Sequence, residues 1–202
     1  MEQRTPEWFL ARTGKVTASR IADLMAKTKT GYSTSRANYA AQLVCEIMTG
    51  QPSETFSNTA MQWGTDQEPF ARDAYVVRTG EFVDEVGFIN HPTIDQAGAS
   101  PDGMVGKLGL VEIKCPNTST HIEYLLAGDP PQKYKLQMAW QMACTGREWC
   151  DFVSYDPRMP TRLQLMIVRY ERDNDLISEI ESEVTKFIQE VNATVKKLEE
   201  LQ

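Results

Sequence analysis

In "SPDGMVGKLGLVEIKCP" (residues 100–116), Asp102 follows a proline, and ten residues later come Glu112, one apolar residue and Lys114. Around them the stretch is rich in Gly, Val, Leu and Ile, as in a buried strand and its hairpin, where unpaired charge is costly. On an extended 109–115, Leu110, Glu112 and Lys114 share one face, and Val111, Ile113 and Cys115 share the other. The second set can enter the core, and the preceding turn can carry Asp102 to the place where Glu112 and Lys114 stand. Two carboxylates so close repel one another unless a cation sits between them. Hard oxygen donors favour Mg²⁺ or Mn²⁺. Asp102 and Glu112 would hold that ion, helped by the backbone carbonyl of Ile113. Such an ion makes water a better nucleophile and neutralises charge building up on a phosphodiester. Lys114 would orient or help deprotonate the water, or stabilise the developing charge. The plainer alternative is an ordinary hairpin with a Glu112–Lys114 surface salt bridge, since an acid-x-Lys pair alone is common in strands.

Several elements must position these groups. "TASRIADLMAK" (17–27) predicts a short helix capped by Thr17 or Ser19, and "SRANYAAQLVCEIMTG" (35–50) a second one ending at Gly50. A third helix is expected from about Thr59 to Arg78, closed by "TG". Segments 82–90, 96–100 and 109–115 predict strands, the last two joined by the turn "SPDG". Helices are expected over 119–127 and 132–145, and "WCDFVSYD" and "RLQLMIVRYE" alternate like the two strands of a hairpin. Ile177, Ile180, Val184, Phe187, Val191, Val195 and Leu198 recur at helical spacing over about 174–201. That stripe predicts a helix packed on the rest of the chain or at a subunit contact. The order of elements suggests one α/β domain over 1–202, a mixed sheet between helical layers.

Composition narrows the function class. The 202 residues are 41% apolar and 24% charged, with no apolar run long enough for a membrane span. The N-terminus lacks the apolar core of a signal peptide, so a cytoplasmic protein is expected. Cys45, Cys115, Cys144 and Cys150 form no CxxC pair, and reduced thiols are the plain expectation. With His91 and His121 as the only histidines, the chain is poor in zinc ligands. The net charge of −7 argues against a protein that coats nucleic acid. Yet residues 1–36 carry seven Lys/Arg against three Asp/Glu, whereas 171–202 carry four against nine. These ends either steer a polyanion to one face of an acidic body or are merely solvated.

Pro101-Asp102 followed by Glu112-Ile113-Lys114 resembles the PD-(D/E)xK nucleases. The blocks "EWFLARTGKVTAS" (7–19), "MQWGTDQE" (61–68), "SPDG", "VEIKCPNTS" (111–119), "YKLQMAWQM" (134–142) and "YDPRM" (155–159) follow in that order. Together they make the chain similar to the exonuclease of lambda-type phages, the YqaJ-like viral recombinase family. The resemblance implies a restriction-endonuclease-like core, with a mixed central β-sheet flanked by helices. It implies a Mg²⁺-dependent 5′-to-3′ exonuclease that degrades one strand of linear double-stranded DNA to mononucleotides. The 3′ single-stranded tails would serve recombination by a strand-annealing partner. A homotrimeric ring, two metal ions per site, and Mn²⁺ as a substitute are implied as well.

Residue by residue, the resemblance gives Glu68 to the second metal and Gln137 to the helix behind the catalytic strand. It gives Arg12, Ser19 and Ser100 to a terminal 5′-phosphate, and Met61 to an apolar wedge that parts the end base pair. Arg suits a phosphate through its bidentate fork, and hydroxyls near a helix start add donors. Two positions depart from the family. Gln141 stands where related nucleases often have tyrosine, and Thr120 stands where the family has a basic residue, to be replaced by His121 next to it or by another residue. The alternatives are a structure- or site-specific endonuclease of the same superfamily, or a non-catalytic DNA-end-binding protein.

Overall fold

The computed structural model describes residues 1–53 and 59–201. The chain opens with α1 (Pro6–Arg12), which has the N-cap Thr5, a proline in its first turn, and Glu7 at its positive end. Then come β1 (Val16–Thr17), α2 (Ile21–Met25), the small hairpin β2 (Lys27–Thr28) and β3 (Gly31–Tyr32), and α3 (Thr34–Thr49). After α4 (Thr59–Thr79) lie β4 (Val83–Asp84), β5 (Ile89–Asn90), β6 (Ala97–Ala99), β7 (Gly103–Val105) and β8 (Gly109–Lys114). The chain ends with α5 (Thr118–Ala127), α6 (Gln132–Thr145), β9 (Trp149–Tyr155), β10 (Leu165–Glu171) and α7 (Asn174–Glu199).

The main sheet has the order β10-β9-β8-β7-β4, and the pair β8–β9 is parallel within an otherwise antiparallel ladder. Parallel neighbours need a crossover, which α5 and α6 supply. This is the mixed sheet flanked by helices expected from the sequence. One face of the sheet, through Leu110, Cys150 and Phe152, packs into a core shared with α2, α3, α6 and α7. The other, through Val111, Ile113 and Val153, packs on Ala71 and Tyr75 of α4. Central strand β8 is therefore covered on both faces. At its start, Trp149 lies 2.1 Å from where a Cβ on Gly109 would sit, so no larger residue fits beside that ring.

Three expectations are corrected. Segments 96–100 and 109–115 are not one hairpin: β6 pairs with β1 and β5 in a separate three-stranded sheet. "SPDG" leads from that sheet into β7, and β7 is the hairpin partner of β8. The local turn signal was real, but long-range pairing decided which strand it serves. Residues 17–27 are not one helix, because Val16 and Thr17 are held beside Ala97 and Gly98 and a 3₁₀ turn at Ala18–Arg20 precedes α2. Neither Thr17 nor Ser19 makes a capping bond there. The 82–90 segment is two short strands in different sheets rather than one.

The C-terminal stripe is buried as its spacing required. Ile177, Ile180, Val184, Phe187, Val191 and Val195 face α2, α3 and α6, with Phe187 stacked on Tyr39 at a ring separation of 5.3 Å. Phe187→Ala should cost about 3–5 kcal/mol of stability, read as a lower urea midpoint with an unchanged slope.

Candidate active site

The hairpin β7–β8 aligns Gly103 with Val111, so Asp102, one residue before β7, lies beside Glu112. The Ile113 N–H donates to Asp102 Oδ2 at 2.7 Å, which fixes that carboxylate against the strand. Glu112 is fully buried. Its Oε1 accepts from Gln137 Nε2 at 2.6 Å and pairs with the Lys114 ammonium, while Oε2 accepts from Gln141 Nε2 at 2.6 Å. Gln137 and Gln141 are one helical turn apart on α6, so both side chains reach the same strand. Sequence reasoning set Gln141 aside because a tyrosine was missing. The signal that could have found it was its i+4 relation to Gln137 within an otherwise apolar run. Tyr134, also on α6, places its ring 5.1 Å from the Lys114 nitrogen and had no assigned role.

The charges here are unbalanced in a telling way. Burial, then the nearby Glu112 and Glu68 charges, push the Asp102 carboxyl well above the usual carboxylate range, against the opposing pull of Lys114 and the Ile113 N–H. Burial alone would make Lys114 give up its proton, but Glu112 and Asp102 outweigh burial and keep it an ammonium. An acid that is hard to ionise beside a second carboxylate is a place where a cation would relieve repulsion. As the side chains stand, no three acidic, histidine or cysteine groups converge as a metal cage among the described residues. Oxygen donors are nonetheless present, and their chemistry suits a hard divalent ion.

One cavity of about 150 Å³ is lined by Arg12, Ser19, Ser100, Asp102, Glu112, Lys114 and Gln137, among others. It brings together seven residues that the sequence assigned to catalysis and phosphate binding. Trp8 of α1 organises its far end: the indole N–H donates to Ser100 Oγ at 2.9 Å, and the Arg12 guanidinium lies 3.8 Å over the ring. Burial makes the Arg12 guanidinium hold its proton less tightly than usual. A neighbouring cavity of about 320 Å³ shares Arg12 and Ser19 and adds Lys15, Arg20 and Met61. Met61, 54% exposed, thus shares a cavity with Arg12 and Ser19 and not with Asp102 or Glu112. His121 cannot replace the missing basic residue at Thr120. It is fully buried, with Nε2 donating to the Leu163 carbonyl at 2.8 Å and Nδ1 2.7 Å from Ser154 Oγ. Thr120 itself sits in the first turn of α5, its N–H on the Asn117 cap.

Glu68 on α4 lines a cavity of about 450 Å³ that also reaches Asp102. Both of its oxygens are occupied: Oε2 by Arg4 at 2.6 Å and Oε1 by Arg72 at 3.0 Å. Arg72 also bonds Glu85 at 2.8 Å. Arg4 is a second residue that sequence reasoning missed. It has φ of 68°, alone in positive φ among the non-glycine residues described. Such a conformation costs about 1–2 kcal/mol for an L residue. The ion pair of the half-exposed Arg4 returns only about 0–1 kcal/mol. Gln3 holds the turn in place by donating to the carbonyls of Val86 and Pro101, both at 2.8 Å.

A mixed sheet with Pro-Asp just before one strand and Glu-x-Lys on its hairpin partner, backed by a glutamine-bearing helix, is the framework of a nuclease. Residues 7–148 match the YqaJ-like viral recombinase domain, and the chain belongs to that family. It is 55% identical to an alkaline exonuclease from Laribacter hongkongensis, over 97% of each chain with a TM-score of 0.90. That enzyme in complex with dAMP gives 56% identity, 97% of each chain and a TM-score of 0.91. A phage related exonuclease from Haemophilus somnus 129PT shares the fold at 16% identity, with a TM-score of 0.72 over 91% of this chain and 96% of that one. Among curated proteins no match was found. The chain is a deoxyribonuclease of the phage exonuclease type. Among its described residues, no helix is long and apolar enough to cross a membrane.

Two outcomes follow from this geometry. Because the folded pKa of Asp102 is raised, its contribution favours the fold below the ordinary carboxylate range and is lost as pH climbs through the folded value. Asp102→Asn should therefore melt above wild type in chelator at about pH 8, with the gap closing towards about pH 4. Equal melting curves across that range would remove the proposed repulsion. Gln141→Leu strips a donor from a buried carboxylate and should cost about 1–3 kcal/mol by denaturant titration.

Proposed function

We propose that the chain is a Mg²⁺-dependent 5′-to-3′ exonuclease, also served by Mn²⁺. It degrades one strand of linear double-stranded DNA to mononucleotides and leaves a 3′ single-stranded tail. The observation that carries this reading is the single cavity joining Arg12, Ser19 and Ser100 to Asp102, Glu112 and Lys114. A site that grips a terminal phosphate and cuts a short step away releases one nucleotide at a time. The Laribacter relative's complex with dAMP, a mononucleotide, supports that product class.

Asp102, Glu112 and the Ile113 carbonyl would hold one ion, and Glu68 with Asp102 a second. Bound there, the ions would supply an activated water and neutralise charge building on the phosphate. The remaining work belongs to the chain. Gln137 and Gln141 orient Glu112 through its two oxygens. Lys114, kept as an ammonium beside both acids, is placed to orient the attacking water or to stabilise the developing charge. Arg12, with Ser19 and Ser100, takes the 5′-phosphate by charge-assisted hydrogen bonds. Met61, near that end, is suited to wedge the terminal base pair. The family resemblance extends the proposal to a homotrimeric ring around DNA, where closure gives processivity. It also extends it to a single-strand annealing partner that receives the tail.

The test is digestion of end-labelled linear duplex carrying either 5′-phosphate or 5′-hydroxyl, with Mg²⁺ or with chelator. Rapid loss of the 5′-phosphorylated strand as mononucleotides in Mg²⁺ alone is expected, with covalently closed circles left intact. Asp102→Ala should abolish release while the protein stays folded, and Arg12→Ala should lower the 5′-phosphate preference about tenfold or more. Nicking of closed circles would instead indicate an endonuclease.

A further inference from the structure

We propose that Arg4 is a substrate-contacting residue, its guanidinium tethered by Glu68 and engaging a non-bridging oxygen of the scissile phosphate. This rests on the exonuclease reading of the same cavity. Arg4 lines both the cavity with Asp102, Glu112 and Lys114 and the one with Glu68 and Asp102. It therefore borders the carboxylate end of the site, away from Met61 and Lys15. A phosphodiester entering there meets Asp102, Glu112 and Glu68, and Lys114 is another cation lining the cavity with those first two acids. Arg4 gives one amino group to Glu68, and its side chain remains 49% exposed. Most of its N–H donors, in a rigid fork that matches phosphate, stay available.

The backbone points the same way. The left-handed conformation at residue 4 would suit glycine, and the half-exposed ion pair does not repay an arginine there. Gln3 on one side and the Thr5 cap of α1 on the other hold the turn that delivers this side chain. Strain kept at a cavity rim by flanking anchors is a pattern of functional positions.

The test compares wild type, Arg4→Gly and Arg4→Lys in steady-state degradation of 5′-phosphorylated linear duplex across a Mg²⁺ titration. Arg4→Gly should melt at or above the wild-type temperature, because glycine relieves the conformation. At saturating Mg²⁺ its kcat should fall about tenfold to a hundredfold, with KM for duplex ends little changed. Arg4→Lys should recover part of that loss. Wild-type kcat in Arg4→Gly would overturn the proposal, and so would a deficit that vanishes at high Mg²⁺, since Arg4 would then act only by restraining Glu68. A wild-type chain that leaves linear duplex intact would fail the exonuclease reading itself, and this proposal with it.

Discussion

Asp102, one residue before β7, lies beside Glu112 of β8, and burial and then the Glu112 charge oppose its ionisation; much of the surrounding structure compensates for that. The Ile113 N–H holds Asp102, Lys114 pairs with Glu112, and two glutamines one turn apart on α6 each donate to one oxygen of Glu112. Each donor comes from an element fixed by packing elsewhere. Strand β8 is buried on both faces, and α6 is anchored by Met138, Trp140 and Met142 in the core. A rigid frame of this kind holds the carboxylate oxygens in one arrangement, which limits reorganisation.

Charges of both signs meet in the cavity. The acidic pair, Lys114, Arg12 and the two serines Ser19 and Ser100 all line it. Trp8 couples two of them, since it holds Ser100, two residues before Asp102, and stacks under Arg12. Lys15 and Arg20 add positive charge in the adjacent cavity. The chain can thus be acidic overall and still carry a local group of cations, because only groups within about a Debye length of 8–10 Å act strongly on one another. Of the seven basic residues in 1–36, Arg4, Arg12, Lys15 and Arg20 line these cavities, whereas Arg36 is buried and pairs with Glu190.

Glu68 shows how a residue's partners qualify a role carried over from a family. It lines one cavity with Asp102, yet its oxygens are held by Arg4 and Arg72. Any ion taken by Glu68 has to share or displace a guanidinium. The N-terminal residues before α1 are therefore part of the site's electrostatics.

Local pattern alone was enough for α3, α4, α6, β9, β10 and α7, where periodicity, caps and terminal glycines agree. Strand alternation was also enough to put Glu112 and Lys114 on one face of β8, but the hairpin that carries Asp102 beside them is β7–β8 and not the expected pairing of 96–100 with 109–115. The family resemblance added Arg12, Ser19 and Ser100. Tertiary structure alone decided that "SPDG" passes from one sheet into another, and that Val16 and Thr17 form a strand. It also turned His121 inward and made Gln141 a ligand of Glu112. Arg4 entered the site only through its contact with Glu68, 64 residues away. The reason is physical: alternation and capping act over a few residues, whereas strand partners, buried hydrogen bonds and ion pairs depend on segments the chain brings together only when it folds.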